Sequence, residues 1–346
     1  VPGGRAEQTA RHGAYDHPIV TAVTVRVPAK VNLQLAVGPP RPDGFHEIVT
    51  VFHAVSLYDE VTVSDAEQSR VTVTGEGAES IPDGDGNLAV RAVSALARAA
   101  GLPPRRIPRV VSGTGSGPAG APAPGVAMEI RKRIPVAAGL AGGSADAAAA
   151  LVACNELWRA GLSQQELAEV AAGIGSDVAF ALVGGTSVGQ GRGERLTPAL
   201  VAGQYHWVLA FAAGGLPTPD VYQSCDRIRA SRDIVPAPPR LSTELMAALR
   251  SGDPAEVGPL LSNDLQPAAV SLRPDLRRTL AVGKEYGALG AVVSGSGPTC
   301  AFLVSDGQRA VDLIVALTGA GVCRSAVRVI GPAQGAVVVS PSEVPG

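Results

Sequence analysis

Residues 135–145 read PVAAGLAGGSA, preceded by VAMEIRKR at 126–133 and followed at once by DAAAALVACNELWR at 146–159. The upstream octet reads as a strand, and the Ala-rich segment 146–159 predicts a long helix that Gly161 stops. A Gly-rich turn between a strand and a helix is a phosphate-binding arrangement. The helix N-terminus has N–H groups without partners and the positive end of the helix dipole. Gly139, Gly142 and Gly143 would let the backbone come close to a triphosphate. Ser144 has three roles open to it: capping the helix, bonding a phosphate oxygen or reaching a Mg²⁺ ion. The alternative is a small-residue turn made only for close helix packing, but the order strand, Gly-rich turn, helix favours phosphate. The stretch is not a P-loop, since no lysine follows its glycines. The chain also lacks HRD and DFG triplets, and no GxGxxG match opens a helix, which excludes the protein-kinase and dinucleotide readings.

The rest of the chain is consistent with a globular enzyme. Its 346 residues suggest two domains, and an apolar content of 46% is enough to build a core, although aromatics make up only 3%. A net charge of −2 gives no basic footprint for nucleic acid or for an anionic membrane. Cys154, Cys225, Cys300 and Cys323 are far apart with no CxxC, which argues against structural zinc and a disulfide scaffold and predicts small buried side chains. His12, His17, His53 and His206 show no ligand spacing and read as structural or exposed. Segments 196–219 and 286–305 carry no Asp, Glu, Lys or Arg, yet Gly, Pro, Ser and Thr interrupt them, so they read as buried strands with turns rather than membrane spans. Residues 1–20 lack the apolar core of a signal peptide. The expectation is a cytoplasmic protein with no membrane and no nucleic-acid partner.

Along the chain, residues 1–20 read as a disordered extension. VTAVTVRV and VNLQLAV read as two strands broken at Pro28-Ala29-Lys30, and residues 60–75 as a hairpin. Helices are expected at 87–100, at 163–175 with a Ser163–Glu166 capping box, and around 219–230, 242–250, 254–261, 274–286 and 307–318. The Pro/Gly/Ser-dense stretch 102–125 reads as a flexible surface loop. The fold class is α+β: an N-terminal nucleotide-binding domain over 21–195 and a C-terminal domain over 196–340.

Three further segments stand out. Lys30 lies in an apolar strand junction, Asp177 is the one carboxylate in GSDVAFAL (175–182), and SGSGPT (294–299) is a second Gly-rich turn between strands. Taken alone, Lys30 reads as a snorkelling surface residue and Asp177 as a helix-end cap. Together with AKVNLQLAV (29–37), RPDGFHE (41–47), IPVAAGLAGGSADAAA (134–149) and PTPDVY (217–222), these segments resemble the GHMP kinase superfamily of small-molecule kinases. The DGFH stretch is similar to the branch that phosphorylates a cytidyl diphosphate sugar alcohol. The resemblance runs from about residue 25 to about residue 339, and residues 1–20 and much of 102–125 lie outside it.

The resemblance implies the two-domain fold with its active site in the interdomain cleft, ATP and Mg²⁺ as cofactors, and transfer of the γ-phosphate to a tertiary hydroxyl. It implies that Pro135, Val136, Ala137, Ala138, Gly139, Leu140, Ala141, Gly142, Gly143, Ser144 and Ala145 bind ATP. Lys30 and Asp177 match the catalytic pair. Asn32, Phe45, His46, Thr218 and Tyr222 match the substrate pocket, where Phe45 and Tyr222 would stack on the pyrimidine and His46 would read its edge. No metal ligands are assigned. Ala138 and Phe45 stand where glycine and tyrosine are common, Ala145-Asp146 where Ser-Asn is common, and Ala179 where proline is frequent. None of these removes a catalytic atom, although Ala138 allows a different loop path and Asp146 is expected in the helix's first turn, near anionic phosphates. Two other readings stay open: a kinase for another small alcohol of homoserine or mevalonate type, and a nucleotide-binding module without turnover.

Overall fold

A computed structural model describes residues 22–66, 69–82, 84–102, 109–110 and 125–340. The expected extension at 1–20, with His12 and His17, lies outside the described residues, as does most of the expected loop at 102–125. In chain order the elements are β1 (Ala22–Pro40), β2 (His46–Ala66), β3 (Arg70–Gly75), α1 (Leu88–Ala99), β4 (Arg109–Val110), β5 (Gly125–Lys132), α2 (Gly142–Leu157), α3 (Gln164–Ile174), α4 (Ser176–Val183), β6 (Thr186–Gly191), β7 (Arg195–Pro198) and β8 (Tyr205–Phe211). There follow α5 (Thr218–Ser231), α6 (Thr243–Ser251), α7 (Pro254–Val257), β9 (Ser262–Asn263), α8 (Gln266–Leu272), α9 (Asp275–Glu285), β10 (Gly290–Val293), β11 (Cys300–Val304), α10 (Gly307–Gly319), β12 (Ser325–Gly331) and β13 (Val337–Val339). No helix among the described residues is long and apolar enough to cross a membrane.

The first sheet runs β13-β1-β2-β5-β3-β4, with β6 and β7 continuing from β2 and β9 added beside β1. Pro28-Ala29-Lys30 does not break the first strand as expected. Proline removes one ladder donor, and the chain absorbs this as a register shift between Pro28 and Ala29 within a continuous β1. The expected hairpin at 60–75 is also corrected, because β5 inserts between β2 and β3. Val71 pairs in parallel with Met128, while Val63 pairs antiparallel with that same residue. The second sheet runs β10-β11-β8-β12, so the charge-free stretches are strands and turns, as read from the sequence.

Alternation along the strands distributes side chains between two cores. Tyr205, Trp207, Leu209 and Phe211 of β8 point into the larger core with α2 and the first sheet, whereas Val208 and Ala210 point into the smaller one. β1 crosses both, placing Val31 and Leu33 in the larger core and Leu35 and Val37 in the smaller. Lys30 and Asn32 fall between, on the opposite side of the strand from these apolar residues. Half of the buried residues of α2 are alanines, small side chains that let it lie close against the sheet. Cys154, Cys225 and Cys300 are buried and Cys323 is half-buried, all as free thiols. The Ser163–Glu166 capping box forms as expected.

Candidate active site

The turn from β5 to α2 shows how a Gly-rich loop can bind an anion. Ala137, Gly139 and Ala141 all have left-handed φ values of 51°, 75° and 61°. An alanine held in this conformation costs about 1–2 kcal/mol, so neighbouring segments must enforce it. Four successive carbonyls are held from outside the loop: Ala137 O accepts from Leu216 N at 3.1 Å, Ala138 O from Thr299 N at 3.3 Å, and Leu140 O from Lys30 N at 3.3 Å. Gly139 O accepts from both Lys30 Nζ and Ser294 Oγ at 3.1 Å. The carbonyls are thus engaged by the protein, and the N–H groups that open α2 are left for a ligand. The first bond within the helix is Ala145 N to Ala141 O at 2.9 Å, so Gly142, Gly143 and Ser144 have no acceptor in their own helix.

Two sequence expectations change here. The helix begins at Gly142 rather than Asp146, with Ala141 as N-cap and no side-chain cap, so Ser144 lies inside the first turn and does not cap it. Asp146 is therefore beyond the first turn, and its buried carboxylate turns inward to Lys132 Nζ at 2.6 Å instead of facing a phosphate. Ala138 adopts no left-handed angle, so its side chain adds no strain to the loop.

Lys30 is only 6% exposed and reaches the loop from β1. Its Nζ donates to Asn32 Oδ1 at 2.8 Å and to Gly139 O at 3.1 Å. Asn32 Nδ2 donates in turn to Thr50 Oγ1 at 2.8 Å, and that hydroxyl donates to Gln34 O at 2.7 Å. The turn 294–299 closes over the amine. A Cβ on Gly295, whose φ is +54°, would stand 3.0 Å from Lys30 Nζ. Asn263 fixes that turn by donating from Nδ2 to both Val293 O and Gly295 O at 2.7 Å. Burial pushes the Lys30 ammonium below its ordinary pKa, and the Asp177 carboxylate pulls it back up. Asp177 lies in the first turn of α4 and is half-buried. Its charge, after burial, also raises the phenol of Tyr222.

The substrate-side residues form a second group. His46 opens β2 and packs on Tyr222 of α5, with ring centroids 5.0 Å apart. His46 Nε2 lies 3.0 Å and 3.2 Å from the two carboxylate oxygens of Asp226, one helical turn beyond Tyr222. A neutral imidazole that donates Nε2–H to this carboxylate keeps Nδ1 as an acceptor. Thr218 Oγ1 is 2.9 Å from Ser296 Oγ, which joins α5 to the second Gly-rich turn. Phe45 is 53% exposed, and the Arg192 guanidinium lies 5.1 Å from its ring centroid. The other histidines divide: His53 is fully buried and bonded to Thr186 Oγ1 at 2.8 Å, while His206 is half-buried. Asp226, Asn263 and Arg192 were not singled out from the sequence.

No group of three His, Cys, Asp or Glu among the described residues could hold a metal ion. That suits Mg²⁺ carried with a nucleotide, which takes most of its oxygens from phosphates and water and only one or two from carboxylates. The chain's own oxygen donors here are the Ser144 hydroxyl and the Asp177 carboxylate.

Comparison with known proteins places the chain in a family. Residues 87–185 match the GHMP kinases N terminal domain and residues 245–323 match GHMP kinases C terminal. A 4-diphosphocytidyl-2-C-methyl-D-erythritol kinase of Mycolicibacterium gilvum is 53% identical over 92% of this chain and 93% of its own. The crystal structure of a 4-(cytidine 5'-diphospho)-2C-methyl-D-erythritol kinase superposes with a TM-score of 0.68 at 31% identity, covering 89% of this chain and all of that one. Homoserine kinase from Cytophaga hutchinsonii has the same TM-score of 0.68 at 18% identity, over 94% of this chain and 100% of its own, and so shares the fold.

Proposed function

The chain belongs to the GHMP kinases, among the 4-diphosphocytidyl-2-C-methyl-D-erythritol kinases, and we propose that it transfers the γ-phosphoryl group of ATP to the 2-hydroxyl of that cytidyl diphosphate sugar alcohol. It is an ATP-dependent small-molecule kinase of isoprenoid precursor synthesis, working in the cytoplasm. The observation that carries the reading is the meeting of Lys30 with the Gly139 carbonyl and the Asp177 charge, beside the pair His46–Tyr222. On this reading residues 21–195 supply the nucleotide domain and residues 196–340 the second domain, which lends β9 and β13 to the first sheet.

The triphosphate lies on the N–H groups of the loop 135–145 and the start of α2, where partial positive charge is already in place. The acceptor hydroxyl lies between Asp177 and the γ-phosphorus. As the new O–P bond forms, Asp177 takes the hydroxyl proton and the bond from the γ-phosphorus to the bridging oxygen breaks, releasing ADP. Lys30 stays on Asn32 and Gly139 O, within reach of the Asp177 charge, and offsets the charge that builds on the phosphoryl oxygens. Ser144 and Asp177 would hold, on the protein side, a Mg²⁺ carried with the phosphates, which would supply further charge neutralisation. Asn32 orients Lys30. His46, fixed by Asp226, presents an acceptor to the 4-amino group of cytosine, while Tyr222 and Phe45 supply ring faces and Thr218 braces the second Gly-rich turn.

The test is turnover of ATP with Mg²⁺ and 4-diphosphocytidyl-2-C-methyl-D-erythritol, followed by phosphorus NMR. A new phosphomonoester signal that needs the cytidyl substrate is expected. Asp177→Asn should keep ATP binding while turnover falls by about 10²–10⁴-fold. ATP binding without product in the folded parent would sink the reading in favour of another alcohol or of a module without turnover.

A further inference from the structure

Beneath the phosphate loop lies an ionic network that the reaction as derived does not use. Lys132, the last residue of β5, donates from Nζ to Asp59 Oδ2 and to Asp146 Oδ2, and these three side chains are 1%, 0% and 4% exposed. Asp59 Oδ1 accepts from Arg133 N at 2.6 Å and Ile134 N at 2.9 Å, the two residues that enter the loop. Asp146 sits on α2, where the loop ends. The amine also lies directly under the start of the helix, since a Cβ on Gly142 would stand 3.2 Å from Lys132 Nζ. One ammonium therefore ties the entry and the exit of the loop to β2.

We propose that Lys132 is a positioning residue for ATP: through Asp59 and Asp146 it holds the Gly142–Ser144 N–H groups in the geometry that receives the triphosphate. The inference rests on ATP binding at this loop. A buried ion network costs desolvation, and replacing such a network with apolar side chains often leaves a protein no less stable. Its value here is a fixed loop.

The test is calorimetric binding of ATP and, separately, of CDP, to the full chain and two variants. Lys132→Met should weaken ATP binding by about tenfold or more, with CDP little changed. If that variant does not fold, Asp146→Ala decides the matter, because it cuts the tie to α2 and leaves Lys132 paired with Asp59, and it should weaken ATP binding by about fivefold or more with CDP little changed. A folded variant with parental ATP affinity, or equal losses for ATP and CDP, would overturn the proposal. A parent that binds no ATP at all would instead overturn the placement of the nucleotide.

Discussion

Substituting alanine at Gly295 should separate the backbone of the second Gly-rich turn from its function. Gly295 has φ +54°, and an added Cβ would stand 3.0 Å from Lys30 Nζ, 3.1 Å from Gly139 O and 3.4 Å from Asn32 Oδ1. The left-handed angle costs alanine about 1–2 kcal/mol. Reduced freedom of the unfolded chain returns about 0.4–1 kcal/mol, leaving about 1 kcal/mol of lost stability. The larger effect is on Lys30. The new methyl lies against all three atoms of the Lys30 network, so the amine must leave Asn32 or Gly139 O. Misplacing a reacting group by about 1 Å can cost about 10²-fold in rate. Gly287 is the matched control, with φ +86° and nothing within 4 Å of an added Cβ. Gly287→Ala should show a similar stability loss by denaturant unfolding with kcat unchanged, while Gly295→Ala should lose about 10²-fold in kcat, measured by ADP release. A Gly295→Ala enzyme with parental kcat, or equal kcat losses in both variants, would refute the placement of Lys30 in the chemistry.

Two further outcomes are expected. Asp226→Ala frees His46 Nε2 from its carboxylate, so the imidazole can present either tautomer, and preference for a cytidine over a uridine diphosphate ligand should fall by about tenfold in competition binding; unchanged preference would show that Asp226 does not set the tautomer. Burial of His53 lowers its pKa from 6.5 to about 3, so the folded state is penalised when the unfolded chain takes up a proton. The stability is fully present above pH 6.5 and is lost as pH falls toward 3, amounting to about 2 kcal/mol between pH 7 and pH 5. Unfolding curves at the two pH values should show this difference in the parent but not in His53→Asn, and equal slopes in the two proteins would remove His53 as the cause.

The Gly-rich loop, Lys30 and Asp177 could be found in the sequence because small residues at fixed spacing, and single charges within apolar runs, are local signals. Boundaries of the expected helices were close except at α2, where glycine and serine suggested a turn although Gly142 and Gly143 are already helical, and α4 and α8 were not expected from the sequence. Strand order was out of reach. Arg70–Gly75 follows β2 closely in sequence, yet its partner is β5, a strand from far along the chain, and no local signal names that partner. Lys132 did carry a signal that went unused, since alternation along β5 places it on the buried face with Met128 and Ile130 while Glu129 and Arg131 face out. Asp226 and Asn263 had none, because each acts on a turn or ring brought to it from a distant part of the chain.

The short strand β13 has a bearing on how the molecule is made. Thr24 of β1 pairs with Val339, so the edge of the sheet that carries Lys30 closes only with a strand far along the chain. During synthesis, β1 leaves the ribosome long before β13 and waits for that neighbour while all the intervening elements are translated. Such a long-range contact slows folding and leaves an unpaired strand edge exposed in the meantime, so nascent chains of this protein should depend on chaperone cover until β13 has emerged.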